Sequence, residues 1–213
     1  MPYSTNLYVI AAICGNFYQE STINPGIWEG LTVGAPGYGL GQWTDNPPTV
    51  MRRTALFNWL SLHGYSQDSG EGQLAFLIHE NVWLGNGAGY QSAYSSLTDF
   101  LNSTSTNLSD LTYEFFHQWE GIDDGTGPVR LQFATDCLDR FQHDSGNRDP
   151  WYSSNSYNSL VHAFMNAYLV KDFFTGTTPA PPGPGPDPTV DELIAMLQTA
   201  RKKKLKGGIF IAW

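Results

Sequence analysis

Cys14-Gly15-Asn16-Phe17-Tyr18-Gln19-Glu20-Ser21-Thr22-Ile23-Asn24-Pro25-Gly26 is the stretch on which the reading of this chain turns. Leu7, Ile10, Ala11, Cys14, Phe17 and Tyr18 recur at three- and four-residue steps, the period of a helix with an apolar face, and Asn24-Pro25-Gly26 is a stop. The spacing predicts a helix over 6–21 with one carboxylate, Glu20, in its last turn. A helix C-terminus carries partial negative charge and prefers a cation. That field and the aromatics Phe17, Trp28 and Trp43 are expected to disfavour the ionised form and raise the pKa of Glu20. A general acid needs that state. The competing account is a solvated glutamate ending a surface helix.

Downstream, Gly37-Tyr38-Gly39-Leu40-Gly41-Gln42-Trp43-Thr44 is a glycine-rich strand or loop ending in an amide and an indole. Its glycines allow close backbone approach to a ligand, and Gln42 can both donate to and accept from a sugar hydroxyl or N-acetyl group. The stretch over 30–44 is the best candidate for a small β-hairpin beside a cleft.

With these two segments in hand, the chain resembles the phage tail lysozymes, muralytic domains of tail-tip proteins related to goose-type lysozymes and lytic transglycosylases. Asn16 through Glu20-Ser21 to Asn24-Pro25-Gly26 is similar to that family's helix end bearing the catalytic acid. Gly39-Leu40-Gly41-Gln42-Trp43-Thr44 and Arg52-Arg53-Thr54-Ala55-Leu56 are similar to its next two motifs, and the likeness runs over about residues 7–145. The resemblance implies a mainly α (α+β) lysozyme-like domain with a small hairpin at the cleft, and Glu20 as catalytic acid. It implies peptidoglycan as substrate, cut between N-acetylmuramic acid and N-acetylglucosamine, in a virion tail or a released endolysin. Where the family has a glutamate followed by Arg-Pro or a similar pair, this chain reads Trp119-Glu120-Gly121-Ile122-Asp123-Asp124: the glutamate is present and its usual neighbours are not.

Protonating the leaving oxygen of a glycosidic bond as an oxocarbenium-like centre develops calls for a carboxylic acid of raised pKa. An inverting hydrolase adds a second carboxylate roughly 6.5–9.5 Å away and a retaining one at about 5–5.5 Å. Glu120 holds that place in the family pattern, with Glu29, Asp45 and Asp123 as further candidates. A lytic transglycosylase needs none, because the muramyl 6-hydroxyl attacks intramolecularly. Tyr18, Trp28, Tyr38 and Trp43 are candidate platforms for sugar rings, with core packing as the competing account. Two other classes fit the same residues: a wall-binding module that kept the cleft without the chemistry, and a structural protein of the tail.

The 213 residues carry 20 acidic and 11 basic side chains, unevenly spread: 17 and 6 over 1–174, but 2 and 5 over 189–213. An acidic body argues against a nucleic-acid partner. The chain shows neither a secretory leader pattern nor a run of about 18 apolar residues, so the expectation is a soluble protein that is not Sec-exported. The five histidines lack metal-ligand spacing, so neither metal nor cofactor is expected. Cys14 and Cys137 lie in apolar patterns and read as buried free thiols.

Helical periodicity marks 6–21, 49–63, 70–84, 109–120, 128–143 and 157–173, the fourth with Ser109 as N-cap and Leu108 and Tyr113 as a hydrophobic staple. The Pro/Gly-rich run 175–188 reads as an extended linker after a catalytic domain over 1–174. Residues 189–213 read as a short amphipathic helix followed by the basic cluster Arg201-Lys202-Lys203-Lys204 and Lys206. That tail is suited to anionic envelope polymers or tail proteins.

Overall fold

The computed structural model describes residues 3–143 and 159–177, all within one unit of the chain. The expected linker beyond Thr177 and the 189–213 helix lie outside the described residues. The architecture is mainly helical with a small antiparallel sheet. Helix α1 (Leu7–Ser21) is its axis, packed against α5 (Leu108–Phe115), α6 (Gly127–Gln142) and α7 (Ser159–Thr175). Rather than one apolar stripe, α1 is buried on every side from Val9 to Phe17, the pattern of a helix inside a core rather than on it. Its start is set by Asn6, whose side chain accepts from Tyr8 N–H at 3.0 Å. Its end is set by Thr22 and Ile23, both left-handed (φ 53°), whose N–H groups close on the carbonyls of Tyr18 and Phe17 at 2.8 and 3.2 Å.

The crossing of α1 and α6 is as close as two helices allow. A Cβ on Gly15 would lie 2.2 Å from the Arg130 carbonyl oxygen and 2.8 Å from Ala134 Cβ, so this position admits no side chain. Gly15→Ala is expected to cost about 1–3 kcal/mol through overpacking, read as a lower denaturant midpoint at unchanged m-value. An unshifted midpoint would show that the helices separate freely. On the neighbouring faces, Cys14 and Cys137 are buried free thiols, as their apolar context predicts.

The hairpin expected over 30–44 is a three-stranded sheet reaching Met51. Strand β1 (Gly37–Tyr38) pairs antiparallel with β2 (Trp43–Asn46), with Tyr38 opposite Trp43, and β2 pairs with β3 (Val50–Met51). β3 takes the residues expected to open the second helix, so α2 runs Arg52–Leu62. The sheet is tied to the helices by two buried polar side chains. Ser21 Oγ at the end of α1 donates to Leu40 O at 2.7 Å. Gln73, in α3 (Gly70–Glu80), accepts from Leu40 N at 2.8 Å and donates to Pro25 O and Gln67 O, both at 2.7 Å.

Two helix ends differ from the periodicity. α3 stops at Glu80 because Asn81 adopts the left-handed conformation and caps Leu77 O. The apolar Val82-Trp83-Leu84, which the 70–84 periodicity includes, runs on without helix. α5 is capped by Asn107, not Ser109: Asn107 Oδ1 accepts from Asp110 N at 3.3 Å while its amide donates to Asp110 Oδ2 at 2.7 Å. That reciprocal pair moves the N-cap two residues earlier and places Leu108 inside the helix. The short α4 (Leu97–Leu101) was not anticipated. Among the described residues no helix is long and apolar enough to cross a membrane.

Candidate active site

A cleft of about 550 Å³ opens where the end of α1, the sheet and the end of α5 meet, and both Glu20 and Glu120 line it. Glu20 arrives on the penultimate residue of α1. Glu120 arrives by a different device: after α5 the chain widens into a π-turn, Phe116–Glu120, closed by Gly121 at φ 76°. Such turns re-aim side chains and are frequent at functional sites. Here the turn ends with Trp119 in the core and Glu120 in the cleft.

The floor beneath is aromatic. Trp119 meets Phe17 edge-on at 5.8 Å and Trp43 at 5.5 Å between ring centroids. Gly41 covers it so closely that a Cβ there would lie 2.2 Å from the Trp119 ring. Trp43 itself is fully buried and its indole N–H donates to Glu80 Oε1 at 2.8 Å. The same carboxylate takes Arg52 Nη2 at 2.8 Å, and the Arg52 guanidinium lies 4.7 Å over Trp119. Arg52 thus lines the cleft with its charge already paired.

The five residues expected to contact sugar divide. Trp28 and Gln42 line the cleft. The Trp28 ring is steadied edge-on by Tyr38 at 4.7 Å and Phe57 at 6.0 Å, and the Gln42 amide nitrogen donates to Gly39 O at 3.1 Å. Tyr38 and Trp43 are core, 4% and 0% exposed, and shape the wall from behind because the β1–β2 pairing points them inward. Tyr18 stacks on Phe133 of α6 at 3.8 Å, nearly coplanar, and is not among the cleft-lining residues.

The candidate second carboxylates divide likewise. Glu29 lines the cleft and accepts from Gly37 N at 2.9 Å. Asp45 is a structural anchor, bonded to Thr54 N at 3.0 Å, Thr54 Oγ1 at 2.7 Å and Arg53 Nη2 at 3.0 Å. Burial opposes its ionisation, but these partners outweigh it and hold the carboxyl below the usual range. Asp123 is exposed, 3.3 Å from the Tyr90 hydroxyl.

Glu20 and Glu120 share a raised proton affinity for related reasons. Burial lifts Glu20, the charge and hydrogen bond of Arg130 pull it back, and the negative charge of Asp124 adds to the lift; the net is upward. The direction is the one expected from sequence, with burial as the largest cause; of the aromatics named there, Trp28 lines the same cleft and Phe17 and Trp43 lie in the core. Glu120 is pushed well above the carboxylate range by burial first and by Glu20 second, against the pull of Arg130 and Arg52. Its Oε1 is buried, and among the described residues it has no hydrogen-bond partner.

Arg130 was missed in the sequence. Its side chain is fully buried, and Nη2 meets Glu20 Oε1 at 2.5 Å. A signal was present: Arg130, Phe133, Ala134, Cys137, Leu138 and Phe141 form the buried stripe of α6, so a cation stands at an apolar position of an amphipathic repeat. A charge is buried there only if it is paired.

Comparison with known proteins identifies a family for the chain. The model of the phage tail lysozyme family matches residues 5–141. Morphogenesis protein 1 of Bacillus phage B103 is 35% identical over 82 residues, 38% of this chain and 20% of that protein, so the match spans about a fifth of that relative's length. The chain belongs to the phage tail lysozyme family.

Proposed function

From membership of the phage tail lysozyme family we propose that the protein is a muralytic glycosidase acting on peptidoglycan at the β-1,4 bond between N-acetylmuramic acid and N-acetylglucosamine. Glu20 acts as general acid and Glu120 as the second carboxyl. The observation that carries this reading is the pair itself, two carboxyls of raised proton affinity lining one cleft beside a buried guanidinium. A carboxylic acid that keeps its proton near working pH can deliver it to the leaving oxygen. Trp28 offers an aromatic edge and Gln42 an amide to the sugar rings. Either water or the muramyl 6-hydroxyl then completes the reaction, and the products tell which. Mass spectrometry of muropeptides after digestion of purified Gram-positive walls should show new muramic ends, reducing for hydrolysis and 1,6-anhydro for transglycosylation. Intact walls, or glucosamine reducing ends, would overturn the assignment. The setting that fits is the virion tail, or release as an endolysin.

The proposed organisation is a catalytic domain over 1–174, a linker over 175–188 and a targeting tail over 189–213. In the structure Phe174 O accepts from Tyr3 N and Ser4 N at 2.9 and 3.1 Å, and Thr177 N donates to Asp172 O at 3.0 Å, so a clean truncation falls after Thr177. The tail's five cations oppose an acidic body. Its attraction to an anionic envelope is exposed and hence screened, over a Debye length of about 8 Å at physiological salt. A chain ending at Thr177 is expected to cleave soluble wall fragments at the full-length rate but to lyse whole cells more slowly at low salt, with the gap closing as salt is added. Equal whole-cell lysis at low salt would rule the targeting role out.

A further inference from the structure

We infer that Arg130 is a positioning residue of this site: its guanidinium, locked from behind, fixes one oxygen of Glu20 and is the counterion against which Glu20 and Glu120 keep a single proton between them. The inference rests on the proposed role of Glu20.

The guanidinium is held on every side. Nε donates to Thr126 Oγ1 at 2.9 Å, Nη1 to Asn16 Oδ1 at 3.2 Å and Asn16 O at 3.4 Å, and its plane lies 4.1 Å over the Phe116 ring. Asn16 is itself immobilised, its amide donating to Ala12 O at 2.9 Å and Thr112 O at 3.1 Å. Thr126 Oγ1 is bound to Asp124 Oδ1 at 2.6 Å. A planar fork so anchored has one direction left for Nη2, and Glu20 Oε1 stands in it. With Oε1 taken, Oε2 is the oxygen left to carry a proton to a substrate.

Charge balance around the pair gives the second part. Arg52 is matched by Glu80, to which it gives both Nη2 and Nε. Asp124 and Glu29 are solvent-exposed, and each has polar partners of its own. Among the described residues this leaves Glu20, half-buried at the cleft, and Glu120, whose Oε1 is buried, beside one fully buried cation, Arg130. Two carboxylates and one guanidinium leave one uncompensated negative charge, and buried charge without a partner neutralises by taking up a proton. Glu120, with an unpartnered buried oxygen, and Glu20, with Arg130, therefore titrate as a pair rather than singly.

The test is the pH profile of wall cleavage by full-length variants. Arg130→Met removes both orientation and charge: the rate should fall about a hundredfold, the usual scale of a misplaced catalytic group, and the alkaline limb should move to higher pH because the pair loses its counterion. Arg130→Lys restores the charge without the fork, so the limb should return towards wild type while the rate stays low. Glu120→Gln should move the limb the other way, to lower pH, since Glu20 then loses its proton without a like charge beside it. A purely structural arginine would lower the amount of folded protein and leave the limb in place; an unmoved limb in soluble Arg130→Met would overturn the inference. If that variant fails to fold, Arg130→Lys and Thr126→Val carry the test. Both should lose rate with folded content intact, and full rate in both would overturn it. Failure of the parent reading looks different: Glu20→Gln would then retain activity whatever Arg130 does.

Discussion

Glu20→Gln is expected to abolish wall cleavage, by about a hundred- to ten-thousand-fold, while the protein stays folded and still binds walls. The size follows from the proposed role, since general acid assistance is typically worth that much. The fold should survive because the amide keeps the hydrogen bond to Arg130: a glutamine Oε1 can still accept from Arg130 Nη2, as Glu20 Oε1 does. It should stay in register because Ser21 Oγ, on the adjacent residue, is bound to Phe17 O at 3.0 Å and Leu40 O at 2.7 Å, independently of Glu20. Only the transferable proton is lost. Release of soluble muropeptides and a thermal melt on the same preparation separate the two effects. A Gln variant that keeps more than about a tenth of wild-type activity sinks the assignment of Glu20 as the acid, because a missing general acid costs at least about a hundredfold.

How much of this site could be read from the chain depends on whether the signal was local. Glu20 was legible because the helix that carries it, the stop after it and the glycine segment facing it are contiguous patterns. Gln42 and Trp28 were legible for the same reason and do line the cleft. Tyr38 and Trp43 were placed with them because sequence gives the residue type but not the face. In a two-residue strand pair the register decides the face, and that register turns both rings into the core. Ser109 reads as an N-cap because it is a favoured capping type just before an apolar run. Asn107 is equally favoured and wins through its reciprocal bond with Asp110, which no periodicity reveals. Arg130 is the plainest non-local case. It meets Glu20 across 110 residues, and its importance depends on the contact of α1 and α6 at Gly15, a packing fact absent from either segment alone.

Glu120→Gln should lower activity and, above the carboxylate range, raise stability. Burial and the charge of Glu20 hold the Glu120 carboxyl well above its ordinary value in the folded chain, whereas in the unfolded chain it titrates near 4.3, roughly the free glutamate value. Between those two values the folded state binds more protons than the unfolded state, so stability falls as pH rises through that window. The whole cost is present above the folded value and absent below the unfolded one. Glutamine carries no such cost at any pH. The melting temperature of the variant should therefore match or fall slightly below wild type near pH 4, where both side chains are neutral. It should exceed wild type increasingly as pH is raised. Thermal melts of the two proteins across pH 4–8 read this directly, and a difference that is the same at every pH would show that the Glu120 carboxyl is not held above its ordinary value. A stability gain joined to an activity loss is the mark of a charge kept for function rather than for folding. Glu120 would then stand apart from Asp45, whose hydrogen-bonded carboxyl is held low and whose contribution is lost as pH falls.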